Sequence, residues 1–374
     1  MKILIAPDSF KGSLRAGKVA EAISKGILSK NPEAIIEKVP LADGGEGTLE
    51  AILSSNSSDF QIISGKYLGP LSVETEAFFL FHQKEKISLI EMAQTAGLEL
   101  LKPEERNPLI TTTKGVGQQI KQAIELGAKK IILFVGGSAT NDAGIGMASE
   151  LGWVFRDEYG ELVEPFAKNL EKINHLSPPE TNLLEGIEVK IATDVINPFY
   201  GENGAAKVFG KQKGAFSNEI ELLDEGLRII ANIVEIEFGL NLQNIPGSGA
   251  AGGLAGGSVV FLNGKIVSGT ELIFNYCNLE EKIKNADWVI SGEGKIDSQT
   301  FEGKLVSAVL NLCKKHNKKV ILVAGKADAN ISELMNENIV RTYQLTENHS
   351  SEHAMKNAKA LLEEIGEKIA IAMV

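Results

Sequence analysis

Residues 2–13, KILIAPDSFKGS, run from an apolar strand straight into a turn that carries an acid, a hydroxyl and a lysine. Ser13 is a residue type that caps helices, and the apolar stripe that follows it, from Leu14 to Ile27, is ended by Asn31-Pro32. A strand that leads through a polar turn into an amphipathic helix is the first half of a βαβ unit. This stretch therefore predicts an α/β fold with a polar loop at the carboxyl end of its first strand.

The same alternation continues along most of the chain and predicts largely parallel strands. Residues 60–93 depart from it, because three strand-like runs follow one another with short turns and no helix between them. We expect an antiparallel meander there, and hence a second type of fold that interrupts the first. The strand-like runs are 2–7, 34–40, 60–67, 73–81, 86–93, 129–137, 189–195, 286–294, 318–326 and 340–345.

The composition is that of a globular protein, with 374 residues of which 43% are hydrophobic and 23% charged, enough for two ordinary domains. The formal net charge of −11 argues against a nucleic-acid-binding surface. It does not exclude an anionic substrate, since charges are largely screened beyond about 8 Å at physiological salt. The 38 glycines are clustered, which is typical of loops that approach a ligand closely.

Cys277 and Cys313 have neither a C-x-x-C spacing nor a partnered histidine. We therefore expect no disulfide and no zinc site, and a reducing cytoplasm suits the chain. The apolar run at the N-terminus is too short for a secretory signal peptide, and no run approaches the roughly 18 apolar residues of a membrane span. The expected protein is cytoplasmic, with neither a membrane nor a nucleic acid as its partner.

Acids and hydroxyls lie among glycines in several loops after strands, where α/β proteins bind their ligands. In LADGGEGT, 41–48, Asp43 and Glu46 lie among three glycines ahead of a helix. A helix N-terminus would favour acids in any case, but two acids on a thin backbone suit Mg²⁺ or a substrate hydroxyl better. The loop after the first strand carries Asp8, Ser9 and Lys11.

The stretch VGGSATNDAGIGMA, 135–148, places two glycines and then Ser138, Thr140 and Asn141 between a strand and a helix. This pattern is typical of an anion cradle, in which free backbone N–H groups and the helix dipole face the ligand and hydroxyls add donors. Asp142 would repel a bare phosphate, so it either holds a metal ion or orients the donors. The alternative is a capped helix without a ligand.

The stretch IPGSGAAGGLAGGS, 245–258, contains a formal G-x-G-x-x-G match at 247–252. The match is weak, because Pro246 precedes it and no convincing strand or βαβ unit surrounds it. A Rossmann dinucleotide site is therefore disfavoured. Two interpretations stay open, namely a backbone surface around nucleotide phosphates or a small acid, and a tightly packed glycine turn without a ligand.

The stretch VISGEGKIDSQTFEGK, 289–304, ends like a Walker A motif but lacks its first glycine and the Ser or Thr after the lysine, so it is not a P-loop. Glu293 and Asp297 beside Lys295 form a mixed-charge patch that suits a metal–phosphate ligand, with a plain surface loop as the alternative. Asp194 follows another apolar strand, where it is either a turn former or the base for a substrate hydroxyl.

Glycine turns, carboxylates and lysines without a Ser-His-Asp or Cys-His arrangement fit phosphoryl transfer. That reaction needs positioning, Mg²⁺ and charge neutralisation more than covalent catalysis. The five histidines are scattered, and we expect none of them to be catalytic. The residues alone thus indicate an Mg²⁺-nucleotide enzyme that acts on a small polar molecule.

The chain contains, in this order, KILIAPDSFKGS, VPLADGGEGT, ERNPL, GGSATNDAG, NPFYGENGAAKVFGKQKGA, GSGAAGGLAGG and SGEGKIDSQTFEGK. Together these motifs closely resemble those of the bacterial glycerate kinases of the type that phosphorylates D-glycerate with ATP. The resemblance covers essentially the whole chain. It implies a flavodoxin-like, Rossmann-like parallel-sheet domain, 1–60 plus 281–374, interrupted by an inserted restriction-enzyme-like mixed-sheet domain, 61–280.

The resemblance also implies a reaction in which D-glycerate and ATP give 2-phosphoglycerate and ADP with Mg²⁺ in a cleft between the domains, 3-phosphoglycerate being the less favoured product. The implied catalytic residues are Lys11, Asp43 and Asp194, with Lys11 neutralising an anion and Asp194 acting as the base. The implied substrate and nucleotide ligands are Asp8, Ser9, Gly44, Gly45, Gly136, Gly137, Ser138, Thr140, Asn141, Gly249, Gly252, Gly253, Gly292, Glu293 and Lys304. The implied metal ligands are Glu46, Asp142 and Asp297.

Two other functions stay open. An NAD(P)-linked oxidoreductase of a small hydroxy acid would rest on the glycines at 247–252. A sensor of small acids would keep the same fold without catalysis. The sequence also leaves open whether the chain forms a homodimer.

Overall fold

The structure is a computed structural model that describes residues 1–42, 44–56, 59–297, 305–328 and 338–373, residue 56 by its backbone only. The chain divides into two compact units. The first unit comprises Met1–Asp43, Glu50–Ser57 and Thr270–Val374, and the second comprises Gly44–Leu49 and Ser58–Gly269. The second unit is thus an insertion in the sequence of the first.

The secondary structure alternates between strands and helices over most of the chain. The strands are β1 (Lys2–Ile5), β2 (Ile35–Lys38), β3 (Gln61–Leu68), β4 (Glu74–His82), β5 (Ile87–Glu91), β6 (Lys130–Phe134), β7 (Val154–Arg156), β8 (His175–Ser177), β9 (Glu188–Ala192), β10 (Lys265–Val267), β11 (Trp288–Ile296), β12 (Lys319–Ala327) and β13 (Ile339–Gln344). The helices are α1 (Ala16–Lys30), α2 (Thr48–Asn56), α3 (Ala93–Ala96), α4 (Lys114–Glu125), α5 (Ile145–Glu150), α6 (Ala205–Phe209), α7 (Ser217–Phe238), α8 (Leu254–Phe261), α9 (Gly269–Tyr276), α10 (Leu279–Asn285), α11 (Leu305–Lys315), α12 (Ser351–Lys356) and α13 (Ala358–Ala372).

The first unit is built on a five-stranded sheet in the order β13-β12-β11-β1-β2, in which every neighbouring pair runs parallel. β11 runs to Ile296, so Gly292 and Glu293 lie within a strand rather than in a loop after it. Glycine at position 292 allows β11 to lie this close to β12, because a Cβ there would overlap the carbonyl oxygen of Val323 on β12. All five strands therefore end at one edge, where the turn after β1 also lies.

Helix α1 packs against α13 on this sheet through the apolar stripe that the sequence predicted. Its buried residues include Val19, Ile23 and Ile27. The helix begins only at Ala16, and the Ser13 hydroxyl donates instead to the carbonyl oxygen of Met355 at 2.7 Å. The prediction that Ser13 caps α1 is therefore wrong, because the N-cap position falls on Arg15 and the turn after β1 takes up two more residues than expected.

The second unit is built on a six-stranded mixed sheet in the order β10-β9-β6-β5-β4-β3. β3, β4 and β5 form an antiparallel meander, as the helix-poor stretch at 60–93 predicted. The remaining neighbours, from β5 through β6 and β9 to β10, run parallel. Fully buried aromatic side chains, among them Phe79, Phe81 and Phe134, fill the core around this sheet.

A parallel sheet in one unit and a separate mixed sheet in the other confirm the predicted α/β fold class. The predicted boundaries at 60 and 280 stay predictions, and the compact units divide the chain somewhat differently around 44–57 and at 270. Within the ranges that the structure describes, no helix combines the length and the apolar character needed to cross a membrane.

Candidate active site

The turn after β1 carries Asp8, Ser9 and Lys11 and is fixed beside β11 in the first unit. The Asp8 N–H donates to the carbonyl oxygen of Gly292 at 2.8 Å. The Asp8 carboxylate, in a residue only 7% exposed, accepts from the N–H of Ser9 at 2.6 Å. Lys11 itself is exposed. The turn thus holds its acid inward and its lysine on the surface, at the carboxyl end of β1.

The end of β11 adds charged residues to the same edge of the first unit. The Lys295 amine and the Asp297 carboxylate form an ion pair at 2.8 Å, which raises the pKa of Lys295 above its ordinary value. Asp297, predicted as a metal ligand, therefore already has a cation beside it. Glu293 lies within β11 opposite Ala324. Two predicted site residues, Asp43 and Lys304, lie outside the described residues.

In the second unit, four parallel strands end at one edge, and several predicted residues follow them. Gly136 and Gly137 come after β6, and Asp194 comes after β9. The exposed Asp194 carboxylate accepts a hydrogen bond from the Ser268 hydroxyl, which follows β10, at 2.7 Å. A neighbouring strand therefore holds this carboxylate at the sheet edge, where it is accessible to a substrate hydroxyl.

The segment that carries Glu46 lies on this edge of the second unit. The Gly136 N–H donates to the carbonyl oxygen of Gly44 at 3.0 Å. A Cβ at Gly136 would lie 2.5 Å from the Cα of Gly45, so only glycine allows the two backbones to come this close. Three of the predicted glycines thus act by close backbone approach, and they place Glu46 near the residues that follow β6.

Glu91 is a residue that the sequence did not single out. It lies at the end of β5, is fully buried, and accepts hydrogen bonds from the N–H groups of Gly47 and Leu49, both at 3.1 Å. These are donors at the start of α2 that would otherwise lack intrahelical partners. Glu91 therefore fixes the Glu46 segment onto the second unit, and only its position as an acid at the end of an apolar strand could have indicated this.

The loop after β6 differs from the helix-based cradle that the sequence predicted. α5 begins only at Ile145 and has six residues. The buried Asp142 carboxylate accepts from the N–H and the hydroxyl of Thr113 at 2.9 and 2.8 Å, and from the N–H of Gly144 at 3.1 Å. The N–H groups of Gly144 and Thr113, which lie at the starts of α5 and α4, thus bind the protein's own carboxylate rather than a ligand.

The same hydrogen bonds change the interpretation of Asp142. Burial raises the pKa of its carboxyl, against the opposing effect of the Thr113 and Gly144 donors. Because both carboxylate oxygens already accept hydrogen bonds, the role as a metal ligand loses its support. The contacts agree with the other predicted alternative, that Asp142 orients the loop.

Three polar side-chain atoms of this loop remain for a ligand, and a lysine donates to the loop beside them. Thr140 Oγ1 and both polar atoms of the Asn141 side chain are buried without a hydrogen-bonding partner among the described residues. Such orphaned groups are rare and mark a place for a water or a ligand group. The Lys213 amine, which the sequence did not single out beyond its motif, donates to Ser138 Oγ at 2.8 Å and to the carbonyl oxygen of Thr140 at 2.7 Å.

The glycine-rich stretch at 247–253 meets protein rather than open space. A Cβ at Gly249 would overlap the carbonyl oxygen of Pro198, and one at Gly252 would overlap that of Thr140. A Cβ at Gly253 would lie 2.9 Å from a methyl group of Leu227. These contacts support the packed-turn interpretation over a ligand-binding one. A short 3₁₀ turn at Leu242–Asn244, and no strand, leads into the glycines, which removes the basis for a dinucleotide site.

The two units thus share one design, in which acids, hydroxyls and glycines follow the carboxyl ends of parallel strands. This is the placement that defines the ligand-binding enzymes of the α/β class. Comparison with known proteins identifies the family within this class. The model of the glycerate kinase family matches residues 3–374, and the chain belongs to this family. It is therefore a kinase.

Relatives and a solved structure agree with this assignment. A glycerate kinase of Halalkalibacterium halodurans is 40% identical over 371 residues, 99% of this chain and 97% of that protein. A glycerate 2-kinase of Escherichia coli K12 is 41% identical over 326 residues, 87% of this chain and 85% of that protein. The crystal structure of a candidate glycerate kinase 2 from Salmonella typhimurium LT2 is similar with a TM-score of 0.81 at 36% identity, covering 100% of this chain and 98% of that one.

Proposed function

We propose that this chain transfers the γ-phosphoryl group of ATP to the 2-hydroxyl of D-glycerate and releases 2-phosphoglycerate and ADP. The observation that carries the proposal is the family match over residues 3–374, which spans both sheet edges and every predicted site residue. The position of Asp194 supports it, because an exposed carboxylate at a strand end is oriented there by a hydroxyl.

In this reaction the substrate 2-hydroxyl oxygen bonds to the γ-phosphorus while the bond from that phosphorus to the bridging oxygen of ADP breaks. The hydroxyl proton passes to a base, and Asp194 is the proposed acceptor. Ser268 donates to one Asp194 oxygen, which leaves the carboxylate oriented before the substrate binds. The electron pair of the broken bond stays on the ADP oxygen.

The nucleotide phosphates would meet the turn after β1, where Lys11 supplies a positive charge. Because a phosphoryl-transfer transition state spreads negative charge over the phosphoryl oxygens, a nearby ammonium stabilises it. Ser9 adds a hydroxyl donor, and the hydrogen bond between Asp8 and the Gly292 carbonyl fixes the backbone of the turn.

The donor set of the chain fits Mg²⁺ only in combination with phosphates. Among the residues that the structure describes, no group of three or more His, Cys, Asp or Glu side chains could hold a metal by itself. Mg²⁺ is commonly bound by one or two carboxylates together with phosphate oxygens, so such a cage is not needed. Glu46 is the proposed protein ligand, with Asp297 as the alternative, and the ion would neutralise phosphate charge.

The test is ADP release in a coupled assay that depends on D-glycerate, followed by NMR identification of the phosphoglycerate formed. We expect turnover with D-glycerate and MgATP and a 2-phosphoglycerate product. No ADP release with glycerate would reject the proposed activity. Formation of 3-phosphoglycerate would keep the kinase and reject the proposed acceptor oxygen.

A further inference from the structure

Lys213 lies in a motif, NPFYGENGAAKVFGKQKGA, to which the proposed chemistry gives no role. It ends the 3₁₀ turn Lys211–Lys213, which leads towards α7. The next residue, Gly214, has a left-handed backbone with φ of 97°, and a Cβ there would overlap the carbonyl oxygen of Arg106. Only glycine fits at position 214, so the backbone that carries Lys213 is fixed in one place.

The side chain of Lys213 is buried, which is unusual for lysine. The residue is only 2% exposed, and its amine donates to the Ser138 hydroxyl and to the Thr140 carbonyl oxygen. Asp142 is the charged group that acts on it within the second unit. That carboxylate is already bound by Thr113 and Gly144, so it is not a dedicated partner of the amine. A buried cation without a dedicated anion is costly, and an incoming anion would compensate it.

The hydrogen bond between Lys213 and Ser138 determines the direction in which the serine hydroxyl can donate. The protonated amine of lysine has donors only, so the Ser138 oxygen is the acceptor while Lys213 carries its charge. The hydroxyl proton of Ser138 is then left to point elsewhere, and no acceptor for it lies among the residues that the structure describes. The backbone around Ser138 is also fixed, because the Ala139 N–H donates to Ala96 and the Leu98 N–H donates to Gly137, both at 2.8 Å.

The neighbouring side chains of Thr140 and Asn141 also have hydrogen-bonding groups without a partner among the described residues. Asn141 is fully buried, and neither its amide nitrogen nor its amide oxygen has a protein partner in the described chain. Thr140 Oγ1 is also buried and has no hydrogen-bonding partner in the described chain. A loop that presents a serine proton, an asparagine amide and a threonine hydroxyl, backed by a lysine, has the donors that an anionic oxygen requires.

We propose that Lys213 is a positioning residue that acts through Ser138 and prepares the 138–141 loop to bind an anionic group of a substrate. That group is either the carboxylate of the hydroxy acid or a phosphoryl group of the nucleotide. The inference rests on the proposed function for the identity of these substrates. It goes beyond that function in naming the lysine that sets the hydrogen-bond direction of the loop.

The experiment uses the full-length enzyme, and wild-type turnover is measured first. If the wild type shows no glycerate-dependent ADP release, the proposed function fails, whatever Lys213 does. With wild-type turnover established, KM for D-glycerate and KM for ATP are measured in Lys213→Met and Ser138→Ala. The exposed neighbour substitution Lys211→Met is the matched control, since Lys211 lies on the same turn with its side chain in solvent.

We expect both site variants to raise KM for one substrate at least about tenfold, the effect of losing a hydrogen bond to a charged group, and to leave the other within about twofold. A rise confined to D-glycerate identifies the carboxylate, and one confined to ATP identifies the phosphoryl group. Lys211→Met should match the wild type. Because Lys213 acts through Ser138, the double variant should lose no more than the single ones.

Three results would overturn the inference. They are wild-type KM values in both site variants, equal increases for both substrates, and losses that add in the double variant. If Lys213→Met does not fold, Ser138→Ala decides the matter, because it leaves the lysine in place and removes only the hydroxyl. Wild-type KM values in a folded Ser138→Ala enzyme would then refute the proposal.

Discussion

The Asp194 carboxylate accepts a hydrogen bond of 2.7 Å from the Ser268 hydroxyl, and this contact joins the carboxyl ends of two neighbouring parallel strands, β9 and β10. A carboxylate without such a contact would need to be ordered by the substrate. Here the sheet brings the orienting hydroxyl to the carboxylate in the protein itself, so part of the ordering is already present before binding.

Asp194→Asn should lower kcat by about 10²- to 10⁴-fold, because the amide keeps the shape of the side chain but cannot accept the hydroxyl proton. Ser268→Ala should lower kcat less, by about tenfold, since it removes only the orienting donor. Glycerate-dependent ADP release measures both. Wild-type kcat in a folded Asp194→Asn enzyme would rule out this residue as the base.

Lys11→Ala should reduce kcat/KM by about 10²- to 10³-fold, the range known for a lost donor to a developing anion. The charge of Lys11 lies on the turn that Asp8 and Gly292 fix, so its removal should leave the fold intact. Lys314→Ala removes an exposed lysine elsewhere in the first unit and serves as the control. Equal kcat/KM values for the two variants would show that Lys11 does not meet the transferred group.

The alternation of short apolar runs and amphipathic stretches was enough to predict the α/β class and the meander at 60–93. Both features follow from the local periodicity of apolar residues, which can be read directly from the sequence. Helix starts were less accurate, as Ser13 shows, because its hydroxyl bonds to Met355, a partner 342 residues away. A contact at that distance leaves no mark in the local pattern.

The candidate site was predictable in its acids and glycines but not in its supporting residues. Asp142 looked like a ligand residue until the structure showed Thr113 and Gly144 donating to it. Lys213 lies 75 residues from Ser138 in sequence, and lysine is ordinarily exposed, so composition and spacing gave no reason to place it beside the loop. Burial of a polar group depends on the folded packing, which one sequence does not display.

Glu91→Gln should lower kcat while leaving the sheet of the second unit folded. The wild-type carboxylate accepts from the N–H groups of both Gly47 and Leu49, whereas the amide of glutamine can accept with one of its two ends only. One N–H donor then faces another, and the segment that carries Glu46 should lose its fixed position. An increase in the Mg²⁺ concentration needed for half-maximal rate is the expected result, with unchanged far-UV circular dichroism. An unchanged Mg²⁺ dependence would argue against Glu46 as a metal ligand held by Glu91.

Gly26→Ala and Gly17→Ala form a matched pair on helix α1. A Cβ at Gly26 would overlap the carbonyl oxygen of Glu363 on α13, whereas a Cβ at Gly17 meets nothing within 4 Å. Gly26→Ala should therefore destabilise the protein by about 1–3 kcal/mol or more, while Gly17→Ala should stabilise it by up to about 1 kcal/mol through helix propensity. Urea unfolding measures both changes. Equal free energies of unfolding would show that the two helices do not pack as closely as described.

The stability of the protein should rise with pH above neutrality because of Lys213. Burial lowers the pKa of this amine from its usual 10.5 to about 7, with Asp142 opposing the shift. Between those two values the unfolded chain binds a proton that the folded chain does not, so the free energy of unfolding increases with pH, by at most about 1.4 kcal/mol per pH unit. Lys213→Met has no amine to titrate and should lack this rise, whereas Lys211→Met should keep it. Urea unfolding of the three proteins at about pH 7 and about pH 9 provides the comparison. The same change in the free energy of unfolding for wild type and Lys213→Met would show that the buried amine does not lose its proton in this range.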